Sequence, residues 1–313
     1  MDNIKKNIKK YKYLYLLLFP SLFYLIVFKI FPLYGLQLAF KDYNVNDGII
    51  GSRFNGFKNF FVLFNTPEFW KSLKNTILIG LLHLIFTFPI SIILALVFSE
   101  FKNKKLKKIV QTIFIFPHFI SWVLVASLFF NIFGNYGVIN NIIDLFGGNE
   151  ISFFSNNWWF RILLLISYVW KEVGWESIIY YAVLCSINNS LYDVAKLDGA
   201  SRFDIIRYIK LPALKKIIIT MFLLQIGSIF TAGFSQVYNL YNPTVYGSAD
   251  ILETYIYRNS FISMSNYGIS VASSLLKALL NIIFLMTAEI ICKKITKESL
   301  FYDLFNNKEG EVG

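Results

Sequence analysis

The chain has 313 residues, 56% of them hydrophobic and 16% charged, with a formal net charge of +11. A soluble domain carries about a quarter charged residues, and here the apolar residues run in long stretches, so the composition excludes an ordinary soluble fold and indicates an integral membrane protein. Two cysteines and two histidines in the whole chain leave no disulfide framework, no Cys-x-x-Cys site and no metal-binding helix.

A bilayer-crossing helix needs about 20 mostly apolar residues. Six stretches qualify: Tyr13–Phe31, Thr76–Phe98, Ile109–Phe133, Ile162–Ile187, Ile217–Phe234 and Tyr267–Cys292. The first follows Lys5, Lys6, Lys9, Lys10 and Lys12. Its apolar run exceeds a secretory h-region and no small-x-small cleavage site follows, so it is read as an uncleaved span. The long segment Tyr34–Asn75 is rich in phenylalanine, and Trp158 and Trp159 precede the fourth span; aromatics at this depth fit an interfacial belt. Pro89 and Pro117 fall inside the second and third spans, where neighbouring helices make kinks tolerable.

Basic residues orient the spans. Twenty of the 30 Lys and Arg lie in the N-terminal tail, Ser99–Lys108, Asn188–Lys216 and the C-terminal tail. This bias places all four segments, and both termini, in the cytoplasm, and it accounts for the positive charge without nucleic acid. The expected architecture is an all-α membrane protein of six spans: a basic tail over residues 1–12, a membrane domain over 13–292 and a cytoplasmic tail over 293–313. No Gly-x4-Gly-Lys-Ser/Thr loop, Gly-x-Gly-x-x-Gly or Gly-x-Ser-x-Gly occurs, so the chain is not expected to hydrolyse ATP or to act as an enzyme.

The fourth span carries Lys171, Glu172 and Glu176 beside Trp170 and Trp175. Charges inside a bilayer cost at least about 2.5–3.5 kcal/mol each on insertion scales. Glu172 and Glu176 stand one turn apart on one face, which should meet water, a partner or a substrate rather than lipid. Between the fourth and fifth spans, LYDVAKLDGASRFDIIRYIKLP over residues 191–212 has apolar residues near helical spacing, interrupted at Gly199. Leu211-Pro212 should stop the second helical piece and open the next helix. The outcome is a cytoplasmic helix–turn–helix, suited to a groove on a partner or to packing on its own spans. Gln225 in the fifth span suits an interhelical hydrogen bond, and His83 and His118 read as packing residues. In the sixth span Ser270, Ser273, Ser274, Lys277 and Asn281 form a polar stripe.

The 191–212 loop resembles the cytoplasmic signature of binding-protein-dependent ABC importer permeases: Glu-Ala-Ala, three residues, Gly, nine residues, Ile-x-Leu-Pro. Here that is Asp193-Val194-Ala195, Gly199 and Ile209-Lys210-Leu211-Pro212, with Asp198 and Ala200 flanking the glycine and both gaps intact. The departures are Asp193 for Glu and Val194 for Ala. FPSLFYLIVFKIFPLYGLQLAFKDYN, NKKLKKIVQTIFIFPHFISWV, VWKEVGWESIIYYAVL and GFSQVYNLYNPTVYGSADILETYIYR are similar to the polysaccharide and complex-oligosaccharide branch of the sugar permeases, related to maltose permeases.

The resemblance implies a second permease subunit, two ATP-binding subunits docked on the cytoplasmic loops and an external solute-binding protein delivering an oligosaccharide. It also implies a bacterial cytoplasmic membrane and no cofactor in this chain, ATP and Mg being held by the partner subunits. Asp193, Ala195, Asp198, Gly199, Ala200, Ile209, Leu211 and Pro212 become the ATPase-coupling residues. Lys171, Glu172, Trp175, Glu176, Ser274, Lys277 and Asn281 become candidates for the substrate path, with the lysines matched to an acidic, uronate-containing sugar. The alternatives are a permease for another solute, such as an amino acid or phosphate ester, and a secondary carrier using Glu172 and Glu176. The carrier would need no Ile-x-Leu-Pro hairpin and would often show an inverted repeat, which is not evident.

Overall fold

The computed structural model describes residues 10–230, 233–262 and 266–296. Lys5, Lys6 and Lys9 of the basic tail, and the C-terminal tail beyond Thr296, lie outside the described residues. The chain is mostly helical, 81%, as the long apolar runs dictate: with no water in the bilayer core, a helix satisfies its own backbone groups. Among the described residues one short exception to the all-α expectation exists, an antiparallel pairing of β1 (Lys41–Asp42) with β2 (Arg53–Phe54).

Two compact units are present. One comprises the described residues up to Thr66 with Ile256–Leu276, the other Pro67–Tyr255 with the described residues from Lys277. In the first, α1 (Lys12–Leu25) buries none of its residues. It continues through a π turn at Ile26–Ile30 into a 3₁₀ segment at Phe31–Phe40. A further helix, α2 (Lys58–Phe64), is tied to the end of that segment by Asn59, whose amide reaches the Ala39 and Lys41 carbonyls at 3.0 and 2.9 Å.

The second unit is built on two long helices, α3 (Pro67–Glu100) and α7 (Asn157–Cys185), which pack along each other. Between them in sequence come α4 (Lys104–Ile115), α5 (Trp122–Phe133) and α6 (Val138–Leu145). After them follow α8 (Asn189–Leu197), α9 (Arg202–Ile205), α10 (Leu211–Gly227), α11 (Phe234–Leu240) and α12 (Leu252–Tyr257). Helix α13 (Tyr267–Thr296) begins in the first unit and ends in the second. The core joins Ile79, Val125, Phe129, Phe160, Leu164 and Leu240.

A buried polar knot closes the start of α3. Ser72 Oγ lies 3.1 Å from the Asp250 carboxylate, Asn75 reaches the Asp250 carbonyl at 3.2 Å and Thr76 Oγ1 accepts the Leu252 amide at 2.8 Å. From α7, Arg161 adds bonds to the Ser248 carbonyl at 3.1 Å and to Asn75 at 3.2 Å.

Among the described residues four helical segments are long and apolar enough to cross a membrane: Lys12–Phe40, Pro67–Glu100, Trp122–Leu145 and Tyr267–Lys294. The expected fourth and fifth spans fall on α7, which carries Arg161, Lys171, Glu172 and Glu176, and on α10, which is 17 residues long. Pro89 sits inside a continuous α3. Pro117 does more than kink its span. The helix expected over Ile109–Phe133 stops at Ile115, turns through a 3₁₀ segment at Phe116–Phe119 and restarts at Trp122, capped by Ser121.

At Leu211-Pro212 half of the expectation holds: Pro212 stands in the first turn of α10 and so opens it. The preceding piece does not stop there, because a π turn at Ile206–Lys210 joins α9 to α10 without a break. Proline lacks an amide and its ring collides with the carbonyl four residues back. In the π turn the Leu211 amide bonds to the Ile206 carbonyl instead, and the widened turn makes room for the ring. The same device precedes Pro32, where the Phe31 amide bonds to the Ile26 carbonyl.

Candidate functional site

Two places concentrate chemistry, and the first is the hairpin. Asn188 caps α8 by accepting the Ser190 amide at 3.0 Å. The helix ends at Gly199, which adopts φ +78°. Its amide bonds to the Lys196 carbonyl at 3.1 Å and that of Ala200 to the Ala195 carbonyl at 2.9 Å, the paired closure of a Schellman motif. No atom lies within 4 Å of where a Cβ would stand, so glycine is required by the left-handed backbone and not by crowding.

Ser201 and Asp204 then start α9 with a reciprocal capping box, the Ser201 amide on Asp204 at 2.9 Å and the Asp204 amide on Ser201 Oγ at 3.2 Å. The Ser201 hydroxyl and amide hold the Asp204 carboxyl below its ordinary value. Asp193 pairs with Lys196 at 3.2 Å in the open. Asp193, Asp198, Gly199, Leu211 and Pro212 are exposed, while Ala195, Ala200 and Ile209 are half-buried. Val194, Leu197, Phe203 and Tyr208 also stand exposed, an apolar surface on a segment otherwise rich in charge. Behind the hairpin an open cavity of about 770 Å³ is lined by Ser99, Glu100, Lys107, Tyr181, Tyr192 and Lys210. Burial, and then the Glu100 carboxylate and Cys185, push the Tyr192 phenol upward.

The second place is the middle of α7. Lys171 is 4% exposed. Its ammonium donates to the Pro117 carbonyl at 3.2 Å and to the His118 carbonyl, lies 3.9 Å from Glu172 and sits 5.5 Å over the Trp122 ring. It thus serves the carbonyls exposed by the break between α4 and α5. Glu172 in turn meets His118 Nδ1 at 2.7 Å, and the His118 ring stacks on Trp175 at 4.4 Å and 2°. His118 is therefore more than the packing residue expected from sequence. Gly174 lies at the closest approach of α7 to α4, where a Cβ would collide with the Phe114 carbonyl and stand 2.9 Å from the Ile115 nitrogen.

One turn on, Glu176 belongs to a different cluster. Gln225 donates to it at 2.9 Å and Ser91 Oγ lies 3.3 Å away, so Gln225 makes the interhelical bond expected of it. A pocket of about 30 Å³ beside them is lined by Gly80, His83, Thr87, Tyr168 and Ser228, room for about two waters. His83 stacks on Tyr168 at 3.8 Å, and among the described residues neither of its ring nitrogens has a hydrogen-bond partner. Both carboxylates expected to face water, a partner or a substrate thus have partners within the chain.

Along α13 the Ser270, Ser273 and Ser274 hydroxyls return to carbonyls of their own turn, the Ser274 bond being 3.0 Å to Ser270. Asn281 Oδ1 is buried without a partner among the described residues. Lys277 pairs with Glu253 at 2.5 Å. The structure therefore brings Lys171, Glu172 and Trp175 together, and places Glu176, Lys277, Ser274 and Asn281 in other surroundings. Sequence reasoning missed Glu253, and it passed over Lys210 and Glu100, whose pairing joins the hairpin to α3. For Lys210 the available signal was a lysine inside Ile-x-Leu-Pro, at a position the motif leaves open.

Residues 87–297 match the family model described as a binding-protein-dependent transport system inner membrane component. The chain is 40% identical over 291 residues to the polygalacturonan/rhamnogalacturonan transport system permease protein YteP of Bacillus subtilis, covering 93% of this chain and 90% of that one. It is 40% identical over 295 residues to Protein LplB of the same organism, covering 94% and 92%. Among solved structures it is similar to a chain of a bacterial ABC transporter involved in the import of the acidic polysaccharide alginate, with a TM-score of 0.86, 36% identity and coverage of 94% and 99%. The match extends over nearly the whole chain, and the chain belongs to the binding-protein-dependent transport system inner membrane components, the permease family of ABC importers.

Proposed function

We propose that this chain is one permease subunit of an ATP-driven importer of oligosaccharides, preferring acidic, uronate-containing ones. Six spans with both termini in the cytoplasm would form its half of the channel, the fourth and fifth being α7 and α10. The observation that carries the reading is the hairpin: an exposed apolar surface with the Gly199 closure, at the spacing by which this family meets its ATPase. A second permease completes the channel, two ATPase subunits dock on the hairpins and an external binding protein delivers the sugar. ATPase closure would move the hairpin, and the spans would alternate between inward- and outward-open states. The preference for acidic cargo is supported by the polygalacturonan and alginate relatives.

The test is reconstitution with a partner permease, ATPase pair and binding protein in proteoliposomes. ATP-dependent uptake of oligogalacturonate is expected, while this chain alone should neither hydrolyse ATP nor transport. Gly199→Val should release the ATPase pair or abolish sugar-stimulated hydrolysis, because the left-handed backbone excludes a β-branched residue. A Gly199→Val assembly with full uptake would refute the docking role, and ATPase activity in the purified single chain would refute the division of labour.

Lys277 is the better of the two lysines for reading substrate charge. Its side chain is 17% exposed and that of its acidic partner, Glu253, 23%, whereas Lys171 is committed to backbone carbonyls. Lys277→Met should reduce uptake of an acidic oligosaccharide more than that of its neutral analogue. Equal losses would make the Lys277–Glu253 pair a structural tie.

A further inference from the structure

The cytoplasmic end of α3 has an electrostatic deficit that the hairpin makes good. A helix C-terminus gathers unpaired carbonyls and partial negative charge, and favours a cation nearby. Helix α3 has no basic residue in its last turn and ends on Glu100, which adds negative charge where it is least welcome. Lys210, 110 residues away in sequence, brings its ammonium to that spot. The ammonium is bonded to the Glu100 carboxylate and, at 2.8 Å, to Ser99 Oγ, while the Ser99 hydroxyl donates to the Leu96 carbonyl at 2.6 Å. It also lies 5.9 Å over the ring of Tyr192 in α8. One buried cation therefore touches the end of α3 and both arms of the hairpin.

The surroundings set Lys210 apart from the residues beside it in the motif. Leu211 and Pro212 are exposed and Ile209 is half-buried, but Lys210 is only 4% exposed. Its side chain reaches inward to Ser99 and Glu100 at the end of α3. Helix α3 has 34 residues, about 50 Å at 1.5 Å per residue, and it packs along α7. A push on the hairpin would otherwise travel along the covalent paths, through residues 186–188 into α7 and through the π turn into α10, and would have no direct hold on the end of α3.

We infer that Lys210 is a positioning residue for transport, a strut between the coupling hairpin and the end of α3 that delivers hairpin movement to α3 directly, beside the covalent connections to α7 and α10. This rests on the reading of the hairpin as the ATPase dock. Coupling between distant sites is carried by packed and hydrogen-bonded connections of this kind, and removing one changes it severalfold.

The test uses the assembled transporter with its loaded binding protein in proteoliposomes. Lys210→Met should keep the ATPase pair bound through purification while lowering sugar-stimulated hydrolysis and uptake by about tenfold. Glu100→Gln should be at least as damaging, because it strands a buried ammonium without its counter-charge. The double variant should be no worse than the worse single one, since both remove the same connection. Lys210→Arg, keeping the charge, should retain most of the activity. Wild-type stimulation in Lys210→Met, or losses that simply multiply in the double variant, would overturn the strut. Should Lys210→Met not assemble, the exchanged pair Lys210→Glu with Glu100→Lys decides: recovered coupling supports the strut, and failure to assemble or to couple overturns it. A wild-type chain that does not hold the ATPase pair, or a Gly199→Val chain that holds and couples it fully, would instead defeat the docking reading.

Discussion

Gly174→Ala should destabilise the folded chain by about 3 kcal/mol, the upper part of the range for overpacking, and Gly174→Val by more. A Cβ at this position meets backbone, the Phe114 carbonyl and the Ile115 nitrogen, so no side-chain rotation relieves it and α7 must draw back from α4. Small residues at helix crossings in membranes serve this close approach, because packing replaces the hydrophobic drive available in water. The displacement would act where Lys171, Glu172 and Trp175 meet the break between α4 and α5, so transport should fall along with stability. Unfolding in a denaturing detergent series, followed alongside uptake, measures both. A Gly174→Ala protein with an unchanged transition would show that the helices separate there without penalty.

Lys171→Met should be nearly as severe, lowering stability by about 3 kcal/mol. The ammonium donates to the Pro117 and His118 carbonyls and lies 3.9 Å from Glu172. Pro117 keeps the Ile120 amide at 3.1 Å, whereas the His118 carbonyl loses its charged donor and Glu172 its nearby positive charge. A buried acceptor left unsatisfied costs about 1–3 kcal/mol, and breaking a buried charge pair about 3–5; relief from burying the ammonium offsets part of the sum. Acidic and neutral oligosaccharides should be affected alike, because the group serves the helix break. Loss of acidic uptake with neutral uptake intact would instead place Lys171 on the substrate.

What could be read from the sequence divides by the range of the interactions. Apolar runs set the long helices through local chemistry. The hairpin, with its break at Gly199, was legible because a Schellman closure is written within six residues. The broken third span was not. Pro117 announces a disturbance, but the break persists because Lys171, 54 residues on, supplies the carbonyls with a donor. The same holds for Lys210 with Glu100 and Lys277 with Glu253: each charge was visible, but its partner depends on which helices meet. Pro212 stands at the opening of α10 as its local preference dictates, but the stop expected before it was overridden by the wider turn. The five-residue polar stripe of α13 is plain in the sequence as a pattern, yet its serines spend their hydroxyls on their own helix.

The π turns that precede Pro32 and Pro212 have a consequence for how chain length is inherited. A turn closed over five residues holds one more residue than a regular helical turn, and one residue corresponds to about 100° of rotation. Because such a turn takes up its extra residue within itself, the helix beyond it stays in phase with the helix before it. Deleting a single position within Ile206–Lys210 would restore the ordinary period with α10 nearly where it is, at the expense of Pro212, whose ring would then meet the carbonyl four residues back. The same deletion early in the regular part of α10 would swing the residues beyond it by more than a quarter of a revolution, Leu223 among them, which α10 buries. A lost codon is therefore best tolerated where a turn can give up its spare residue, or in connections such as the one between α6 and α7, where no helical phase is handed from one element to the next.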